Sequence, residues 1–196
     1  RPEAASARGL IDFARAAPLL LLMVLAFGYS DIAAISTIPL YFVERGYSEN
    51  FAALVVSMVA LPTAIAQPLV GWLLDRSSRV MVAVASAALC GASFIALPFL
   101  SGQMPLLLAV SLLGTASFSL YTCALTLLGD RFRGGLLVSG AAAYALIYAI
   151  GSAAGSSSTG LIMDWSLDAA PILTGVMMLA FAAIFAIGLR DRPSRG

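Results

Sequence analysis

Six long apolar runs separated by short polar connections account for almost the whole chain: roughly residues 17–43, 51–74, 80–100, 105–128, 136–162 and 169–189. Each is close to the roughly 20 apolar residues that a helix needs to cross the hydrocarbon of a bilayer. Runs such as PLLLLMVLAF and ILTGVMMLAFAAIFAIGL do not alternate between apolar and polar positions. They therefore do not read as the alternating strands, about ten residues long, of a membrane barrel. They are apolar almost all round, and predict membrane helices. The first run follows Arg8 and Arg15, as a signal peptide's core would, but it is longer than an h-region of roughly 7–15 residues and five more spans follow it. It reads as a span that stays.

Composition agrees with the pattern. Of the 196 residues 61% are hydrophobic and 11% charged, against about half and about a quarter in a soluble domain. The expectation is an all-α membrane protein of six transmembrane helices over 17–189, with a lead-in at 1–16 and a tail at 190–196. Little chain is left for a soluble domain. Cys90 and Cys123 fall inside apolar runs, where a free Cys behaves as a small hydrophobe, so no disulfide framework is expected.

Charge orients the bundle. All eleven basic residues are arginines, and ten fall on one side of the predicted topology: Arg1, Arg8, Arg15, Arg76, Arg79, Arg131, Arg133, Arg190, Arg192 and Arg195. Arg45 alone lies on the other, and the connections SGQMP and MDWSLDAA carry no basic residue. Cytoplasmic loops hold the excess of Lys and Arg, so both termini are predicted cytoplasmic. The exclusive use of Arg, with much Ala, Leu and Gly, suggests a GC-rich bacterial genome and hence a bacterial inner membrane. The opening RPEAASARG is small, polar and basic, reads as a linker, and lacks a starting Met. The expectation is a piece of a longer product or an isolated half.

The connection after the second run, GWLLDRSSR, concentrates Asp75, Arg76 and Arg79 in five residues. Gly71 lets a neighbouring helix approach closely, and a carboxylate at the boundary suits the N-terminus of another helix. The stretch resembles the cytoplasmic loop signature of the major facilitator superfamily, G-x-x-x-D-R/K-x-G-R/K, with Ser78 where that motif prefers Gly. IPLYFVERGYSENFAALVVSMVALPTAIAQPLVGWLLDR and LLGTASFSLYTCALTLLGDRFRGGLLVSGAAAYALIYAIGSAAGSSSTGLIMDW resemble helices one, two, four and five of that family's C-terminal half. The resemblance implies half of a twelve-helix bundle, an inverted 3+3 repeat that rocks against an N-terminal six-helix half. It makes Gly71, Asp75, Arg76 and Arg79 a cytoplasmic gate motif whose partner helix lies in that other half, or in a second copy. The plain alternative is a short loop anchored by its charges.

Candidate transport chemistry is sparse. Asp31, in FGYSDIAAISTIPLYF, is the one acid well inside a span, and a charge at that depth is by default functional. It suits a proton carrier or a cationic substrate; the structural reading is that it caps a break in its helix beside Ser30. Gln67 reads as a cross-helix hydrogen bond or a substrate contact. Tyr121, Tyr144 and Tyr148 offer hydroxyls to a central cavity or serve as packing. Tyr41, Tyr47, Trp72 and Trp165 read as interface anchors. Gly151, Gly155 and Gly160, with the serines between them, read as close helix packing. Pro39, Pro62, Pro68 and Pro98 can kink spans.

The leading expectation is a secondary active carrier of a small solute, proton-coupled and working by rocker-switch alternating access; the alternative is a non-transporting six-helix scaffold or sensor. An intramembrane hydrolase is disfavoured, since there is no His and no G-x-S-x-G. No P-loop, metal-ligand cluster or cofactor motif occurs. The partners expected are membrane lipid, a second six-helix half and a small-molecule substrate, with no nucleic acid.

Overall fold

The computed structural model describes residues 7–190. The ends of the lead-in and tail, with Arg1, Arg192 and Arg195, lie outside the described residues. The helices are α1 (Ala7–Ala16), α2 (Pro18–Ile32), α3 (Ile38–Glu44), α4 (Glu49–Arg76), α5 (Arg79–Ala96), α6 (Gln103–Arg131), α7 (Gly134–Trp165) and α8 (Ala169–Arg190). A π-helical turn, Ala33–Thr37, joins α2 to α3 into one span, and a 3₁₀ turn, Leu97–Phe99, closes α5. Among the described residues six helices are long and apolar enough to cross a membrane: Pro18–Glu44, Glu49–Arg76, Arg79–Phe99, Gln103–Arg131, Gly134–Trp165 and Ala169–Gly188.

Local chemistry sets the boundaries. Pro18 sits in the first turn of α2, where its missing N–H costs nothing. Ser48 caps α4 by accepting from the Phe51 amide at 3.2 Å. Gly46 leaves α3 at a φ of 86°, a left-handed geometry that other residues resist. The π turn lies just ahead of Pro39, where a proline disturbs the helical ladder.

The lead-in is not a plain linker. From Ala7 it forms α1, strongly amphipathic, with Arg8, Asp12 and Arg15 exposed and Phe13 buried. The Phe13 ring meets those of Phe132 and Tyr144 at 5.0 and 6.2 Å. Leu10, Phe13 and Ala17 recur at helical spacing, and burying that stripe against α7 orders a segment whose composition alone suggested a tether.

Glycines let the helices cross closely. A Cβ on Gly28 of α2 would stand 2.6 Å from the Tyr148 carbonyl oxygen of α7, and on Gly151 or Gly155 of α7 it would meet the Leu25 or Tyr29 carbonyl of α2 at 2.5 Å. Gly114 of α6 lies as tightly on the Val59 carbonyl of α4, and Gly91 of α5 and Gly175 of α8 each face the other's carbonyl. Close backbone approach drives membrane helix association, because lipid gives no hydrophobic advantage to burial.

Polar clasps close each end of the bundle. At the end carrying Arg45, Tyr41 donates to Asp168 Oδ1 at 2.9 Å, Arg45 pairs with the same oxygen at 3.2 Å, and Arg45 also bonds the Tyr41 hydroxyl and the Pro98 carbonyl. At the arginine-rich end Arg79 pairs with Asp130 across α5 and α6. Tyr41 is thus a fully buried structural residue, not an interface anchor; Tyr47 is half-buried and stacks on Phe51. Trp72 and Trp165 are exposed near helix ends.

Candidate functional site

Asp31 lies in the last turn of α2, two residues before the π turn, and is only 5% exposed. Its Oδ2 accepts a hydrogen bond from the Tyr148 hydroxyl at 2.8 Å, and its Oδ1 has no partner. Neither oxygen caps a backbone amide at the π turn, so the acid does not serve as the cap that a helix break suggested. An arginine does not neutralise it either, since the ion pairs among the described residues lie at the bundle ends.

The surroundings are aromatic and hydroxylic. Phe27, one turn before Asp31, stacks on Tyr121 at 4.7 Å, tilts against Tyr148 at 5.4 Å and meets Phe118 edge-on at 5.2 Å. Tyr121, Tyr148 and Phe118 are only half-buried, so this patch reaches the surface. Beneath it the fully buried Ser30 bonds Ser117 of α6 at 2.7 Å. Ser152 of α7 donates to the Gly28 carbonyl at 3.4 Å, Tyr29 meets Ser158 at 3.0 Å, and Thr37 meets Thr159 at 2.8 Å. Polar groups thus line the seam with α7 from Gly28 to Thr37.

Other candidates divide. Gln67 accepts from Thr122 at 3.0 Å, a cross-helix bond from α6 to α4. Tyr144 is buried and donates to the Ala124 carbonyl at 2.9 Å. Its hydroxyl is engaged in the core beside Phe13, so it does not join the site. Gly151 and Gly155 pack on α2, but a Cβ on Gly160 would meet no atom within 4 Å. Gly160 is exposed and lines a cavity of about 630 Å³ with Ser36, Thr37, Glu44, Ser156 and Asp164, so it is not a packing glycine within this chain. The serines and Thr159 preserve the small-residue pattern through this turn while α7 rotates Gly160 away from α2.

The loop motif also divides. Arg79 pairs with Asp130 and Arg76 lies 4.7 Å over the Trp72 ring. A Cβ on Gly71 would meet nothing within 4 Å, and exposed Asp75 makes no hydrogen bond or ion pair among the described residues. A further small-residue stripe, Ala141, Ala145, Ala149, Ala153 and Ser157, is exposed along α7.

Sequence reasoning missed Phe27, Phe118, Ser117 and Asp168. Phe27 carried a usable signal, because it stands four residues before Asp31 on the same helix face. A family model of the Major Facilitator Superfamily matches residues 19–196. No curated protein matches the chain.

Proposed function

Since the chain belongs to the major facilitator superfamily and is a multi-pass transporter of that type, we propose that it moves a small solute by proton-coupled secondary transport, with Asp31 carrying the proton. The observation behind this reading is the Asp31 carboxyl itself: buried within a membrane-spanning helix, held on one oxygen by Tyr148 and unpartnered on the other. An acid there is costly unless it works. Binding near the bilayer midplane and rocking of one repeat unit against another are how carriers of this architecture operate.

The six helices act as one rocking body, clasped at both ends by Arg45–Asp168 and Arg79–Asp130. The second body is another six-helix half or a second copy of this one. Small residues on an exposed membrane face favour a helix partner over bulky lipid contact, and both the α7 stripe and Gly71 offer that. Asp75 then latches onto the partner's helix N-terminus. The arginine-rich end faces the cytoplasm of a bacterial inner membrane, following the positive-inside rule.

The test is a ligand-stabilisation screen over small solutes, then uptake into proteoliposomes with and without an imposed pH gradient. Gradient-driven uptake that Asp31→Asn abolishes is the expected result. Equal uptake with and without the gradient, or undiminished uptake by Asp31→Asn, would reject proton coupling through this residue.

A further inference from the structure

We propose that Asp31 and the rings around it form a binding site for a monovalent organic cation, a protonated or quaternary amine bearing an apolar group, whose charge the Asp31 carboxylate pairs. The proposal rests on the carrier reading above and names its substrate class.

Two independent features of the site support it. The first is the unpartnered oxygen: Asp31 is nine-tenths buried, Oδ2 is held by Tyr148, and Oδ1 meets no donor. A buried acceptor without a partner carries a desolvation penalty that a bound donor or cation relieves. The second is the ring cluster. Phe27, Tyr121, Tyr148 and Phe118 are linked through centroid distances of 4.7 to 5.4 Å around Phe27. Aromatic faces attract cations and do so most strongly when water is excluded. A carboxylate alone suits any cation, and rings alone suit any apolar solute. Together they select a charged head with apolar substituents.

The protein supplies no internal competitor. Among the described residues no arginine pairs with Asp31. The titratable groups that face it are Tyr148 from α7 and the buried Cys90 from α5, with the hydroxyls of Ser30 and Ser117 beside them. Neither tyrosine nor cysteine supplies a positive charge. Cation docking and protonation therefore compete for one carboxyl: when the cation arrives, the proton leaves Asp31 for water, and the charge moved is conserved.

The experiment uses the 196-residue chain in nanodiscs of zwitterionic lipid. Calorimetry compares benzyltrimethylammonium with neopentylbenzene, its neutral carbon isostere, and a weakly buffered solution reports proton release. The cation is expected to bind at least about tenfold more tightly than the isostere, a difference of about 1.4 kcal/mol. Asp31→Asn is expected to remove that preference, and Tyr121→Leu, which leaves the carboxyl in place, to weaken the cation about threefold. The Leu variant keeps the idea testable if the Asn variant fails to elute as a monodisperse species. Equal affinity for cation and isostere, or an Asp31→Asn protein that binds the cation like the wild type, overturns the proposal. Cation binding without proton release leaves this site standing and overturns the proton-carrier reading. Gradient-driven, Asp31-dependent uptake of some other solute, with no cation binding, does the reverse.

Discussion

Two seams in this bundle are built alike and equipped differently. In the α2–α7 seam, Gly28 lies against the backbone of Tyr148; in the α4–α6 seam, Gly114 lies against the backbone of Val59. Three residues after Gly28 comes Asp31, and three residues after Gly114 comes Ser117. Ser117 is satisfied by Ser30 at 2.7 Å. Asp31 is satisfied on one oxygen only. The α4–α6 seam adds a neutral bond, Thr122 to Gln67, of the kind worth roughly 0.6–2 kcal/mol between membrane helices. Glycine contact thus supplies the packing in both seams, and the acid makes one of them a place where charge can change.

The comparison breaks most completely at the glycines. Gly28→Leu and Gly114→Leu each push a side chain into a partner backbone, and overpacking of this sort costs about 1–3 kcal/mol or more. Both variants are expected to melt well below the wild type in a detergent unfolding series. A Gly114→Leu protein as stable as the wild type would mean that the second seam is not a packing contact at all.

If Asp31 carries the proton as proposed, the acid separates the seams by function rather than stability. Asp31→Asn is expected to reduce gradient-driven uptake by more than about tenfold, whereas Gln67→Ala, which removes a neutral bond, should lower it by less than about threefold. Comparable losses from both would place Gln67 in the transport path and remove the asymmetry drawn here. Tyr148→Phe is expected to fall between them. It frees the second oxygen of Asp31 and removes a hydrogen bond of about 0.5–1.5 kcal/mol, so uptake survives with altered pH dependence. An unchanged pH profile would make the tyrosine hydroxyl a packing feature.

Much of this was legible in the sequence, and the exceptions have physical causes. The spans stand out because about 20 apolar residues in a row have few other uses. Asp31 stands out because it is alone at depth. Its partner does not, since Tyr144 and Tyr148 are one turn apart on α7 and share the same periodicity. Only the tertiary contact distinguishes Tyr144, bonded to Ala124, from Tyr148, bonded to Asp31. The α1 helix was hidden because ten residues give a short periodic signal, and small and basic residues drew the eye to linker chemistry. Gly160 misled for the opposite reason: its neighbours keep the small-residue pattern after the helix face has turned away from α2.

The smallest expected effects lie at the two clasps, and they rank in a definite order. Asp130 answers Arg79 alone in a half-exposed pair, and such surface pairs are worth roughly 0–1 kcal/mol. Asp168 answers both Arg45 and Tyr41, and Tyr41 is fully buried. Removing Asp168 therefore takes the acceptor from a hydroxyl that cannot turn to water, leaving it only the bond it receives from Arg45. Asp168→Ala should lower the unfolding temperature more than Asp130→Ala, and the Asp130 pair should lose more of its small contribution in high salt, where exposed charges are screened. The reverse order would show that the arginine-rich clasp is the stronger one and that Tyr41 is held by packing with Phe42 rather than by its hydrogen bond.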